Sequence, residues 1–505
     1  MRSLGPHMSR ALGPELEAMR RELEAHARDF GLDFYPVIFE VLDYAQMNQV
    51  AAYGGFPTRY PHWRHGMEYE HLSKSYTYGL HKIYEMVINN NPCYAYLLEN
   101  NGPVDQKLVM GHVYAHCDFF KNNLYFADTE RKMVDRMANH ATRIRRYIER
   151  HGIEAVETFI DACLSIEDLV DPHSPRDRRE EPNRPQPAAG ADDEEPVKRT
   201  PRRLKSKAYM QAFVNPPEFL EAQRRKLEEE DTRARNFPEQ PVRDLLRFLI
   251  DHAPIENWQR EVLTIIREEA YYFLPQRRTK IMNEGWATFW HSKIMTERAL
   301  RDSEVIDYAD HHAGTVGTSP GRLNPYKIGV ELFRDIEERW NTGRFGAEYE
   351  RCDDIVARKN WDLHLGLGRE KIFEVRKLYC DVTFIDTFLT EEFCRRHKLF
   401  TFGLDSKKNA WTIQSREFRK VKEAILFQLT NSGNPVIHVT DANHANRGEL
   451  VLTHQHEGID LREDYARETL VSLHRIWRRP VHIESKSEDK PRLLGFDGTE
   501  FTERQ

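Results

Sequence analysis

One stretch limits what this chain can fold into more than any other: Leu108–Phe126, LVMGHVYAHCDFFKNNLYF. It is apolar and aromatic, holds no proline, and carries two histidines four residues apart, His112 and His116. In a helix, positions i and i+4 lie on one face about one turn apart. Two imidazoles so arranged can close on one metal ion, and zinc accepts histidine nitrogen readily. HExxH zinc proteases use this spacing, with the glutamate after the first histidine as general base. Here Val113 stands at that position. The stretch therefore reads as a metal-binding helix without its usual base. The plainer alternative is one hydrogen-bonded core histidine and one histidine facing solvent.

A second stretch adds a third donor. Asn283–His291, NEGWATFWH, lies in an apolar, helix-like run from Ile281 to Met295. Glu284 sits among small and aromatic residues, where a carboxylate is poorly solvated and needs a partner. In zincins with two histidines on one helix, the third ligand is often a glutamate on a later helix. Gly285, beside it, would let that helix approach the histidine helix closely. His291 is two turns along the same face. The competing reading of Glu284 is a buried ion pair with Arg277, Arg278 or Lys280.

These runs also carry a family resemblance. The chain closely resembles the SpoVR family, the stage V sporulation protein R-like proteins. The matching runs are DFYPVIFEVLDYAQMNQVAAYGGFPTRYPHWR (33–64), SKSYTYGLHKIYEMVINNNPCYAYLLE (73–99), the histidine stretch, PQRRTKIMNEGWATFWHSKIM (275–295) and NPYKIGVELFRDIEERW (324–340). The resemblance spans nearly the whole chain. It implies a role in spore cortex formation in sporulating members, and relatives in bacteria that make no spores. It also implies genes often encoded near a PrkA-type serine kinase and a von Willebrand-like protein, which makes those two the possible partners. It implies no particular reaction; the zincin-like reading comes from the residues.

At 505 residues the chain is long enough for two or three domains. A net charge of −7 and a pI near 6.4 argue against a dedicated nucleic-acid binder. Mean hydropathy of −0.71, no apolar run of membrane-spanning length and no signal-peptide pattern point to a cytoplasmic protein without a membrane span. The six scattered cysteines, with no CxxC, suit reduced thiols.

Along the chain, the Gly54-Gly55, Pro57 and Pro61 breakers make Tyr53–Trp63 an ordered loop, functional or a packing plug. Cys93–Leu98 reads as a short strand, suited to act as an edge that binds extended peptide. His140 competes as third ligand, but its arginine neighbours favour a solvated face. Asp171–Lys207 is rich in proline and charge and reads as a disordered linker. Its basic end, Lys198–Lys207, reads as a solvated tether in preference to a contact for nucleic acid or a partner. Residues 309–329 read as a glycine-bearing loop with His311 and His312. From about Cys380, short β-rich runs appear at Val382–Leu389, Leu399–Gly403, Trp411–Gln414, Val436–Thr440, Glu449–His454 and Val481–Ser485. A histidine-rich group there (His438, Asp441, His444, His454, His456 and Glu457) suits polar surface or interdomain contacts better than metal.

The expected architecture is a mainly α N-terminal region with a zincin-like metal-binding helix, plus a smaller α+β C-terminal domain. Residues 1–170 and 208–375 form one helical, site-bearing domain, 171–207 a linker or insertion, and 380–505 the C-terminal domain. No nucleotide-binding or serine-hydrolase motif is present. The expected chemistry is a zinc-dependent amide or peptide hydrolase. His112, His116 and Glu284 would hold zinc, leaving a fourth position for water. The base would come from Glu268, Glu269, His291 or His312. Tyr271 or Tyr272 would stabilise an oxyanion. Asn324 and Tyr326 would contact substrate, for which the cortex link suggests a peptidoglycan precursor. The rival reading is an inactive, metal-stabilised scaffold or regulator acting through a kinase or von Willebrand-like partner, as Val113 suggests.

Overall fold

The computed structural model describes residues 10–77, 85–174, 216, 218–219, 221–225, 237–317, 323–405, 410–487 and 490–504. Residues 175–207 of the expected linker therefore lie outside the described residues. So does the tip of the 309–329 segment. The protein is mainly helical, with a C-terminal sheet domain. The chain divides into two units, Met1–Glu157 with Tyr271–Asn434, and Thr158–Ala270 with Pro435–Gln505. No described helix is long and apolar enough to cross a membrane.

The first unit is built on two helices buried nearly all round. The histidine helix, Pro103–Asn122, opens on Gly102 with Pro103 at its first position, where a missing N–H costs nothing. From Val109 to Phe120 every side chain is buried. A helix with no solvent face belongs inside a core. Lys280–Ile294, the glutamate helix, is buried almost as completely, with Trp286 and Trp290 among the largest enclosed side chains. Its local N-cap residue, Thr279, makes no side-chain cap. Instead Asp381, a hundred residues away, accepts from the backbone N–H of Ile281 and Met282 at 2.8 and 2.9 Å. A distant carboxylate thus satisfies two of the donors that every helix start leaves open.

Asp381 begins a helix, Asp381–Phe388, where β-rich patterning led to the expectation of a strand over Val382–Leu389. That expectation is corrected. The Cys380 N–H donates to Thr383 Oγ1 at 3.0 Å, starting a helical turn. Phe384, Ile385 and Phe388 then share a buried helical face. Packing on that face overrides the strand preference of β-branched and aromatic residues.

A third helix, the cover helix Pro325–Thr342, lies against the glutamate helix. A Cβ on Gly285 would collide with the Gly329 backbone, and a Cβ on Gly329 with the Ile281 carbonyl, so the two backbones touch. Gly285 therefore admits the cover helix rather than the histidine helix. The histidine helix meets its neighbour instead at Gly111, where a Cβ would lie 3.7 Å from His291 Cβ.

Beside these helices runs a three-stranded sheet of β1 (Val37–Leu42), β2 (Glu85–Ile88) and β3 (Cys93–Leu98), in the order β1-β3-β2. β3 is the strand expected from the sequence, but it is central. β1 pairs with it in parallel and β2 antiparallel. Both of its edges are used, so an added peptide strand could pair only with β1 or β2. In the Tyr53–Trp63 loop, Phe56 and Tyr60 are fully buried, which makes it a packing plug in structural terms. His140 is buried as well, correcting the expected solvated face. A hairpin, β4 (Thr401–Asp405) with β5 (Ala410–Ser415), also belongs to this unit.

The second unit holds a five-stranded sheet of β6 (Ile437–His444), β7 (Glu449–His454), β8 (Val481–Ser487), β9 (Lys490–Phe496) and β10 (Phe501–Arg504), in the order β10-β9-β8-β7-β6. β7 and β8 are parallel. Their connection is the helix Glu463–Trp477, which buries Leu470, Leu473, Ile476 and Trp477. The other neighbours are antiparallel.

Candidate functional site

His112 and His116 leave the histidine helix one turn apart, and Glu284 meets them from the glutamate helix. Each imidazole Nε2 lies 3.6 Å from Glu284 Oε2. One donor atom from each residue lies within 4.8 Å of the others. Among the described residues no second group of three histidine, cysteine or acidic side chains meets that condition. The histidine side chains keep 4% and 6% exposure and Glu284 keeps 18%, so the group opens towards solvent on its carboxylate side.

The outer nitrogens of both rings are engaged. His116 Nδ1 is 2.9 Å from Asn283 Oδ1, an oxygen that only accepts, so the ring donates there and leaves Nε2 bare. His112 Nδ1 is 2.8 Å from His291 Nδ1. Burial, reinforced by neighbouring His112, pushes the His116 pKa down to about 4, which keeps its imidazole neutral near pH 7. Burial raises the Glu284 carboxyl, but hydrogen bonds from His112 and the Tyr326 hydroxyl, with the electrostatic pull of both imidazoles, outweigh it and hold it below its usual value. Tyr326 also stacks on the His112 ring, with centroids 6.2 Å apart.

Two helices carry this geometry, and Asp118 ties them together. It lies two residues beyond His116 and is fully buried. Its Oδ2 accepts from Trp286 Nε1 of the glutamate helix at 2.8 Å. Its Oδ1 accepts from the Asp33 backbone at 2.8 Å and faces Arg376 at 3.3 Å. Burial pushes this carboxyl up to about 6.

Family models match nearly all of the chain. The model for SpoVR like protein covers residues 12–434, and that for the SpoVR-like C-terminal domain covers 435–488. The chain belongs to the SpoVR family. The boundary between the two matches coincides with the Asn434/Pro435 boundary between structural units. A curated relative, "Uncharacterized protein YcgB" of Escherichia coli (strain K12), is 31% identical over 506 residues, covering 94% of this chain and 92% of its own. No solved structure matches.

The remaining candidate residues of this SpoVR-family chain are dispersed. Glu268 is exposed and Glu269 buried, on the part of helix Asn257–Arg278 that belongs to the second unit. Tyr272 is buried in a separate core with Leu42, Met47 and Phe56, and its hydroxyl donates to the Asn89 carbonyl at 3.1 Å. An oxyanion role would require breaking that bond. Asn324 uses both ends of its amide on the backbone. Oδ1 accepts from Tyr326 and Lys327, and Nδ2 donates to the carbonyls of Thr315 and Gly317. It is a clamp at the start of the cover helix, with its polar atoms already occupied. His311 and His312 are helical, within Val305–Thr315, correcting the expected loop. His311 faces Asp105 at 3.1 Å, and the His312 ring lies 5.8 Å from that of His291. His291 itself is fully buried against His112.

Sequence reasoning missed Asn283 and Asp381. Asn283 directly precedes Glu284, but its sequence position does not reveal which imidazole it would meet. Asp381 was hidden because its segment reads as a strand.

Proposed function

We propose that His112, His116 and Glu284 hold one zinc ion and that this SpoVR-family protein hydrolyses an amide or peptide bond there. The single observation that carries the reading is the 3.6 Å separation of both Nε2 atoms from Glu284 Oε2. Tetrahedral ligands at zinc bonds of roughly 2.1 Å are about 3.4 Å apart. A neutral His116 with its outer nitrogen donating, and an outer partner on His112, also suit zinc ligation. When bound, zinc acidifies water and polarises a carbonyl. The open Glu284 side would admit substrate, and Tyr326 would orient it beside the carboxylate. The family's sporulation link makes a peptidoglycan precursor the substrate class to test, and a PrkA-type kinase and a von Willebrand-like protein the partners to test.

A specific observation favours a second reading. Val113 is fully buried in the main core, where the usual base of this helix would stand. A metal-stabilised scaffold or regulator needs no base. Metal analysis of the purified full chain tests the shared premise, with about one zinc expected per chain. A wild-type protein that takes up no zinc overturns both readings. Chelator-sensitive cleavage of a peptidoglycan stem peptide would support the hydrolase. Zinc retention with no cleavage would leave the scaffold.

A further inference from the structure

The contact between His112 and His291 poses a question of proton placement. Their Nδ1 atoms are 2.8 Å apart, so one carries a hydrogen and the other a lone pair. With both rings neutral, two arrangements exist. In the first, the hydrogen belongs to His291 Nδ1. His112 then carries its own hydrogen on Nε2, aimed at Glu284, and offers no lone pair there. In the second, the hydrogen belongs to His112 Nδ1, and His112 Nε2 is bare. His291 must then be protonated at Nε2. The proton count is the same in both: one hydrogen leaves His112 Nε2, one appears on His291 Nε2, and the shared hydrogen crosses between them.

The first arrangement is a core histidine bonded to a carboxylate. The second is a metal ligand. His291 therefore decides which of the two His112 can be. Its far nitrogen, Nε2, is buried and has no hydrogen-bond partner within the protein, so neither arrangement is locked by a neighbour. The His312 ring has its centroid 5.8 Å from that of His291, and its Nδ1 is likewise buried without a partner. Beyond it, Tyr308 stacks on His312 at 5.7 Å. His312 and Tyr308 both belong to helix Val305–Thr315.

We propose that His291 is a positioning residue: metal binding at His112 selects its Nε2–H tautomer, and this tautomer couples the occupied site to His312 on helix Val305–Thr315. The proposal rests on the metal reading above but goes beyond it, because it assigns a role to a residue that never touches the metal. It also separates the two histidine ligands. His116 is fixed by an amide oxygen in either state, whereas His112 can switch.

The test uses full-length protein labelled with 15N-histidine, with and without zinc, and long-range 1H–15N correlation to read each ring's tautomer. With zinc, His291 should be protonated at Nε2 and His112 at Nδ1. In parallel, His291→Leu removes the acceptor and should weaken zinc binding roughly 10- to 100-fold. His291→Gln, whose amide oxygen can accept from His112 Nδ1, should recover most of that affinity. Melting of the metal-free variants shows whether each is folded. A zinc-loaded protein with His291 protonated at Nδ1 overturns the proposal. So does a folded His291→Leu that binds zinc as tightly as wild type, and so does a folded His291→Gln no better than the leucine variant. In those cases the zinc site itself still stands. A wild type that binds no zinc removes both ideas together.

Discussion

Two regions of this protein are rich in histidine and acid, and only one gathers them. In the first unit, His112, His116 and Glu284 point at a common centre. In the second unit the same residue types are spent in pairs. His456 Nε2 meets Asp460 at 2.8 Å, His482 meets Glu449 at 2.9 Å, and His454 Nδ1 meets Ser485 at 2.9 Å. His444 lies 3.7 Å from Asp441. The difference follows from secondary structure. A buried helix holds i and i+4 side chains side by side, and a second buried helix brings a carboxylate to both. Strands and loops spread their side chains, and each finds a separate partner. Local histidine density is therefore a poor guide to a site, and convergence from two rigid helices is a better one.

The comparison breaks first at the metal. His112→Ala and His116→Ala should each lose the bound zinc. Structural zinc contributes on the order of 10 kcal/mol in small domains, so this is the largest effect expected. Metal content by mass spectrometry reads it directly. Should His454→Ala or His456→Ala remove zinc instead, the assignment of the two regions is reversed.

The next largest effect is at Val113. Because its side chain is fully buried among apolar residues, Val113→Glu introduces a carboxylate with no partner. Destabilisation of roughly 3–5 kcal/mol is expected, read as a lower denaturant midpoint. A variant of wild-type stability that cleaves amides would mean that position 113 faces the site after all.

The start of the glutamate helix can be probed by pH. Burial pushes Asp381 up from 3.8 to about 7, against the opposing bonds from Ile281 and Met282. Lys280 lowers it and Glu284 raises it. A carboxyl raised on folding contributes stability that is complete below its unfolded value and is lost as pH rises through its folded value. Stability should therefore fall from about pH 4 to about pH 7, by at most roughly 4 kcal/mol at about 1.4 kcal/mol per pK unit, read as a lower melting temperature. Asp381→Asn keeps one acceptor oxygen and should flatten that slope. An unchanged slope would mean that other groups set the pH dependence.

The smallest effect is expected in the second unit. The His456 side chain is largely enclosed and its partner Asp460 is exposed, so His456→Ala should cost roughly 1 kcal/mol, the worth of one hydrogen bond. A loss of several kcal/mol there would show that this region, too, hides an organised centre.

Much of this comparison was legible in the residues. The i, i+4 histidines in an apolar run, Glu284 among small and aromatic neighbours, the family resemblance and strand β3 all follow from local order. Local patterns are legible because helix and strand periodicity are properties of the chain itself. Tertiary structure decided the rest, because it depended on contacts between distant segments. It brought Asp381 a hundred residues back to cap the glutamate helix, set Gly285 against Gly329, and spent Tyr272 and Asn324 on backbone groups. It turned Val382–Leu389 from an expected strand into a helix, since packing outweighs a propensity of about 1 kcal/mol. It also set His291 against His112, a pairing across 179 residues that no spacing rule encodes.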